Sequence, residues 1–516
     1  MKAIVSTWHG AQSSRMKSRL SRYVALSALV GLLAFVSGGG SSVSSSAAAV
    51  AVHPAASDYY QMTASTTPPT EAQCNSVGRR CFSPQDIQSA YNVAPLYAHG
   101  WNGAGETIAI VDSFGSDTIA HDLHVFNQTF GLQPMCGEEG VTCAAGMPNF
   151  SVLHVQGGPA TKAQPPNNGT GQQDKSAWAI EVSLDVETSH AIAPMANILL
   201  VTTPTAETLG VPGFPDMMNA EQYVVDHHLA TVISQSFGSA EDAFGSTQSL
   251  QNLRHAFISA AQNGVSVLAS TGDFGTANVQ KQPVKNPKTI PFPTVQWPAS
   301  DPLVTGIGGT YLCTIATATA TPPPVRTVQA GPGGRCPEFP TEAEVAWLDA
   351  GGGFSHVFSK PDYQDTLPAG STAIGDTRGV PDVGFQASSR TGALMYVTLP
   401  PAGQSGLICP GGAPCSTGWF DIGGTSLSCP QWAGLVAIAD QINGGGLGLV
   451  NPALYKIGAD PARYSNDFFD VTTGDNQADP SVPGYPATTG WDPVTGLGTP
   501  NAANLVPDLV SAAHGN

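Results

Sequence analysis

Between residues 107 and 270, four apolar strand-like runs alternate with helix-patterned stretches, and that alternation admits very few folds. "TIAIVD" (107–112) is an apolar run ending on a carboxylate, and "IAHDLHVFNQTF" after it has helical spacing. "SAWAIEVSLDVETSH" (176–190) repeats with helical period and leads into the strand-like "MANILLVTT". "ATVISQSFG" reads as a strand, "STQSLQNLRHAFISAAQNG" as a helix and "VSVLAST" as a further strand. Such alternation predicts an α/β domain whose mostly parallel sheet carries helices on both faces. Functional groups of these sheets gather beyond the carboxyl ends of the strands, where Asp112, Ser236 and Asp273 fall. Residues 281–420 hold Pro, Gly and Thr clusters such as "CTIATATATPPPVRTVQAGPGGRC". They are read as a loop-rich excursion closed by a disulfide, which makes the C-terminal half loop-rich.

The 516 residues include 20 Lys+Arg against 38 Asp+Glu, a formal net charge of -18. That balance excludes a general nucleic-acid binder, which needs a basic stripe, and suits acidic surroundings, where carboxylates protonate. Near the N-terminus, Arg15, Lys17, Arg19 and Arg22 precede the apolar run "YVALSALVGLLAFV" (23–36), with A-x-A cleavage sites around Ala49 or Ala51. The run is short for a membrane span and has the layout of an export signal. The expected organisation is a signal peptide at 1–50, a Ser/Thr/Pro-rich linker or short pro-segment at 51–80, and one globular domain at 81–516. With no other segment apolar enough to span a bilayer, the exported protein is expected to be a soluble, secreted monomer without nucleic-acid or membrane partners.

Nine cysteines suit an oxidising compartment. Eight are close neighbours in sequence: Cys74 with Cys81, Cys136 with Cys143, Cys313 with Cys336, and Cys409 with Cys415. Without C-x-x-C or paired-histidine spacing, local disulfides are the better reading than metal ligation. Cys429 is left over and is expected to be a buried free thiol.

"GGTSLSCPQWAGL" (423–435) sets Ser426 between a tight turn and a helix start, a place suited to a nucleophile. A serine hydroxyl needs a base. The histidines offer none in a convincing setting; His190 and the His227–His228 pair fall in plain helical contexts. The carboxylates are more informative. Glu181 and Asp185 are spaced i, i+4 and so share a helix face, with Trp178 one turn earlier. Because Ile180, Leu184 and Val186 make the helix largely apolar, the pair is expected to be partly buried and to share a proton. A Glu with raised proton affinity is a usable base. Asp273, in the Gly-flanked turn "STGDFGT", reads from its own stretch as a turn aspartate.

Taken together, "WAIEVSLD", "VISQSFG", "STGDFGT", "WPASDPLVTGIGGT", "GGFS", "RGVPDV", "GGTSLSCP" and "DVTTGD…TTGWDPVTGLGTPN", in this order, resemble the sedolisin family of serine-carboxyl peptidases. The resemblance runs from about residue 81 to the C-terminus. It implies a subtilisin-like fold and a Ser-Glu-Asp triad: Ser426 as nucleophile, Glu181 as general base and Asp185 orienting Glu181. Asp273 would share the oxyanion hole with the Ser426 N–H. A carboxyl donates to an oxyanion only while protonated, whereas Glu181 must be ionised, and both conditions meet most easily in acid. Asp112 stands where family members carry an acidic residue linked to the triad.

The same resemblance implies a calcium site from Asp470 and Asp492 carboxylates with the carbonyls of Val471, Thr488 and Gly490, an all-oxygen set suited to a hard cation. The implied activity is secreted, acid-active endopeptidase cleavage of protein or peptide substrates through an acyl-enzyme. The alternatives are a tripeptidyl-type exopeptidase and a non-catalytic secreted binding module on the same fold. One departure stands out. Family members are made with a long folding pro-domain, and here about 30 residues lie between the expected signal and the domain.

Overall fold

"TIAIVDS" forms β1 (Thr107–Ser113), the strand around which the central sheet is laid out. The computed structural model describes residues 53–54, 59–155, 172–204, 213–279, 288–313, 342–401, 403–409 and 411–515. The expected signal peptide and Cys336 lie outside them. After β1 come α1 (Ile119–Phe130), β2 (Phe150–His154), α2 (Gln172–Ile192), β3 (Asn197–Thr203) and α3 (Gly213–Asp226). Then follow β4 (Val232–Gln235), α4 (His255–Gln262), β5 (Ser266–Ser270), β6 (Thr305–Leu312), β7 (Glu344–Ala346) and β8 (Val383–Gln386). The last long helices are α5 (Thr425–Asn443) and α6 (Ala502–Ala513).

Among the described residues the sheet runs β7-β6-β5-β4-β1-β3-β2, with β8 also paired to β6. All its pairings are parallel except β6 with β7. Alternation along the strands sorts the two faces. Ile108 and Ile110 join the core under α5, whereas Ala109 and Val111 join the core under α3 and α4. Val232 and Leu268 follow the first pattern, Ile233, Val267 and Ala269 the second. By the same alternation Asp112, Ser234 and Ser270 fall on the α5 face, at the carboxyl ends of their strands. Helix α5 crosses β4, β5, β6 and β8, and α2 packs along α5 and against β1.

Two sequence expectations differ from the structure. The 281–420 region, expected to be a loop-rich excursion, also contributes β6 and β8, inner, buried strands of the sheet. Glycines 306, 308 and 309 lower the strand propensity of "TGIGGTYL", yet they are what the packing requires. A Cβ on Gly308 would lie 2.7 Å from Pro381 Cγ, and one on Gly309 would lie 2.6 Å from Ala387 Cβ. The 51–80 segment, expected to be a linker or short pro-segment, packs into the domain over residues 59–80. Tyr59–Thr63 pairs antiparallel with Gly418–Ile422, which in turn pairs with Ala393–Val397. Gln61 Nε2 donates to the Ser416 carbonyl at 2.6 Å, and Phe82 N donates to Gly392 O. Composition concealed this strand because its partners lie more than 350 residues away.

Disulfides join Cys74 to Cys81, Cys136 to Cys143, and Cys409 to Cys415. Cys313 is disulfide-bonded. Cys429 is free and buried.

Candidate active site

Two glycines bring the chain into α5. Gly424 caps the helix at φ +118°, a conformation that L side chains rarely adopt. A Cβ on Gly423 would lie 2.2 Å from the Ser389 nitrogen, so only glycine fits against that backbone. Ser426 follows in the first turn, where main-chain N–H groups have no partner within the helix. It is fully buried, and its Oγ has no hydrogen-bond partner among the described residues. Pro430, one turn on, supplies no N–H to the Ser426 carbonyl.

Asp273 is tied to this helix start from across the chain. Its Oδ1 accepts from the Thr425 N–H at 2.8 Å and from Thr425 Oγ1 at 2.9 Å. The Gly272 N–H donates to Thr425 Oγ1 at 2.9 Å. The carboxyl therefore sits at the positive end of α5, beside the residue that carries the candidate nucleophile. Its bonds reach 152 residues along the chain, so it is more than a turn aspartate.

On the other side of the seam, Glu181 and Asp185 project from α2, both fully buried. Asp112, at the end of β1, is also fully buried. Ser236, just past β4, donates from its Oγ to Asp185 Oδ1 at 3.0 Å. The other Asp185 oxygen and both Asp112 oxygens have no hydrogen-bond partner among the described residues. Burial pushes Asp112 up to about 8. Asp185 is raised well above the usual carboxylate range by burial, then by the neighbouring Asp112 and Glu181; the Ser236 bond works against the rise.

Cys429 links the two sides. Burial pushes its thiol up to about 12, and the charges of Asp185 and Glu181 push in the same direction. Its Sγ lies 3.5 Å from Ser234 Oγ and 3.6 Å from the Gln235 carbonyl. A thiol so far from ionising is an unreactive neighbour. Ser426 is three residues before it, on the same face of α5. The helix face that carries Ser426 and Cys429 thus meets the α2 carboxylates at one seam. Trp178 is buried in the cluster of Phe114, Val155 and Val201, away from any hydrogen bond to these carboxylates. His190 is buried with Nε2 at 2.7 Å from the Gln133 carbonyl, and burial lowers it to about 4. Sequence reasoning missed Thr425 as the anchor of Asp273 and Ser236 as the donor to Asp185. No local signal announces either bond.

A second acidic site lies in the C-terminal loops. Asp470 accepts from the Gly490 N–H at 3.0 and 3.2 Å through its two oxygens. Asp492 Oδ1 accepts from the N–H groups of Val494 and Thr495 at 2.9 Å, and Oδ2 from Thr488 N at 3.0 Å and Thr495 Oγ1 at 3.2 Å. The Tyr464 hydroxyl feels both carboxylates. The carbonyls of Val471, Thr488 and Gly490 accept no main-chain hydrogen bond among the described residues. Two carboxylates beside three unspent carbonyls form an oxygen-only donor set that fits a hard cation. No group of three His, Cys, Asp or Glu side chains that could hold a metal ion occurs among the described residues, so a cation would depend on those carbonyls.

The fold and site define a class: a subtilisin-like α/β domain with a buried serine at a helix start and buried carboxylates on the helix packed along it. No family model matches the chain. The chain is 29% identical over 454 residues to kumamolisin of Bacillus sp. (strain MN-32), covering 86% of this chain and 66% of that protein. It is 26% identical over 362 residues to tripeptidyl-peptidase 1 of Mus musculus, covering 66% of this chain and 54% of that protein. It therefore spans about two thirds of the first relative and about half of the second. A solved structure of Pseudomonas sedolisin, a serine-carboxyl proteinase complexed with two molecules of pseudo-iodotyrostatin, aligns with TM-score 0.60 and 25% identity. That alignment covers 84% of this chain and 98% of the other. These likenesses support the sedolisin family of serine-carboxyl peptidases and its subtilisin-like fold.

Proposed function

We propose that this chain is a secreted, acid-active serine-carboxyl endopeptidase acting on protein or peptide substrates. The observation that carries the reading is the pairing of Asp273 with the start of α5, opposite the fully buried Glu181–Asp185–Asp112 set. Ser426 Oγ attacks the scissile carbonyl carbon while Glu181 takes its proton. Asp185 holds Glu181, and Asp112 stands behind Asp185. The oxyanion of the tetrahedral adduct is met by the Ser426 N–H and by a protonated Asp273, donors in place before charge develops. Glu181 returns its proton to the leaving amine as the C–N bond breaks. Water, deprotonated by Glu181, then attacks the acyl carbon, and Glu181 passes that proton to Ser426 Oγ as the C–Oγ bond breaks.

Secretion rests on the N-terminal signal pattern and the disulfides; no helix of the described residues is long and apolar enough to cross a membrane. The test is digestion of a denatured protein from about pH 3 to about pH 8, with every cleavage site mapped. Internal cuts confined to acid support the reading, and an absence of cleavage at any pH removes it. The likeness to tripeptidyl-peptidase 1 favours a second reading, exopeptidase release of short peptides from free N-termini. The same maps would then show only N-terminal fragments.

Calcium belongs to the proposal as well. Asp470 and Asp492 would supply carboxylates and Val471, Thr488 and Gly490 carbonyls. Bound there, the cation would stabilise the folded C-terminal loops by mass action.

A further inference from the structure

Three fully buried carboxyls, Glu181, Asp185 and Asp112, cannot all ionise together, so their protons come off as a set. The set needs one negative charge before it can take a proton from Ser426, and a buried charge is costly unless a donor meets it. Only one hydrogen bond to Asp185 or Asp112 is present among the described residues, from Ser236 Oγ to Asp185 Oδ1 at 3.0 Å. Ser236 is itself fully buried. It is placed there by the sheet: β4 and β1 run in parallel register with Gln235 opposite Val111, and the next residues along the chain are Ser236, just past β4, and Asp112.

We propose that Ser236 is a positioning residue for the carboxylate base, its hydroxyl holding Asp185 and favouring the single negative charge that the set carries before Ser426 gives up its proton. The ionisable groups that face Asp185 are Glu181 from its own helix, Asp112 from β1 and Cys429 from α5. Each disfavours charge on Asp185 or is neutral, while the Ser236 bond acts the other way. Donation to Oδ1 also leaves any proton on Asp185 to Oδ2, which fixes the rotation of the carboxyl group.

The inference rests on Glu181 acting as base, so the test carries a control for that reading. kcat and KM are measured against pH on one peptide for the wild type, Ser236→Ala, Ser236→Cys and Glu181→Gln. Without the donor, the set holds its protons more tightly. Ser236→Ala is expected to lose about 10- to 100-fold in kcat, with KM little changed, and its acidic limb should move to higher pH. Ser236→Cys, a near-isosteric weak donor, should fall between, and it keeps the test open if the alanine variant folds poorly. Carboxyl protonation is also read without turnover, by infrared titration of the carboxylic C=O band in a Ser426→Ala background. The band should titrate at higher pH when Ser236→Ala is added. An unmoved limb and an unmoved band in the Ser236 variants, with Glu181→Gln inactive, overturn the role of Ser236 alone. A Glu181→Gln enzyme of wild-type rate overturns the reading of the base.

Discussion

The molecule holds two sets of buried carboxylates, and they are kept in opposite ways. Asp112, at the α2–α5 seam, is fully buried with neither oxygen bonded among the described residues. Asp492, in the C-terminal loops, is equally buried but accepts four hydrogen bonds from three residues. Burial raises both, Asp112 to about 8 and Asp492 to about 7, and the donors around Asp492 oppose the rise. A carboxylate wrapped in N–H donors is fixed in place and shapes a loop. One left without donors is free to trade protons with its neighbours, and such groups concentrate where chemistry is done. Hydrogen-bond satisfaction, more than burial, separates the two sites.

The sharpest way to break this comparison is to disable the seam. Ser426→Ala and Glu181→Gln should each lower kcat by about 10⁴-fold or more, as for other members that act as a unit. Melting temperatures near the wild-type value would show that the fold survives. Activity near wild-type level in either variant would mean the buried carboxylates of the seam are not the chemical ones.

Asp273 is the next largest. Asparagine at this position keeps a neutral donor that cannot ionise. Asp273→Asn should cost about 100- to 1,000-fold in kcat/KM at the optimum, the range for one oxyanion donor. Its alkaline limb should move upward or flatten, since no negative charge can form opposite the oxyanion. A kcat/KM–pH profile whose alkaline limb matches the wild type would assign that limb to another group.

The loop site should answer through stability alone. Chelation should lower the melting temperature reversibly, with a loss of stability of up to about 3 kcal/mol if calcium had been present at about a hundred times its Kd. Asp470→Asn should make the melting curve insensitive to chelator. An unchanged curve in wild-type protein, with no calcium in elemental analysis, would leave the loop held by its hydrogen bonds only.

A smaller effect tests the same contrast on a third carboxylate. Asp122 on α1 accepts from Thr398 N and Oγ1 and from Thr118 Oγ1, and burial still raises it to about 6. A raised value in the folded state means that folding favours the protonated form. The stabilisation is therefore fully present below the unfolded carboxylate range near pH 4 and is lost as pH rises through about 6. Asp122→Asn should flatten this part of the stability–pH curve, by about 1 to 3 kcal/mol between pH 4 and 7 in chemical denaturation. Equal slopes in both proteins would place the pH sensitivity elsewhere.

What could be read from the residues alone follows the range of the interactions. The alternation in β1 and the i, i+4 spacing of Glu181 and Asp185 are local, and both appear in the structure as expected, down to the burial of the acidic pair. Local too are the cysteine pairs seven, seven and six residues apart. β6 was missed because its glycines speak against a strand, and the packing that demands them comes from Ala387, Pro381 and Trp347. The bonds from Thr425 to Asp273 and from Ser236 to Asp185 span 152 and 51 residues, and no window of sequence contains both partners. Chemical type could be inferred from motif order; the arrangement that makes it work is set by tertiary pairing.

The strand Tyr59–Thr63 bears on the timing of activity. Its partner, Gly418–Ile422, runs directly into the Gly-Gly turn and Ser426, and the buried Asp421 on that partner pairs with Arg79 at 3.5 Å. Residues 59–63 are thus sewn to the stretch that leads to the candidate nucleophile, across a separation of about 355 residues. Contacts this distant form late, because the intervening chain must be ordered first. A chain emerging N-terminus first holds Tyr59–Thr63 long before it has a partner to lay beside it. The turn before Ser426 is braced only once nearly the whole domain is out, so on the proposed function a partly made chain would have no formed site with which to cut itself or its surroundings.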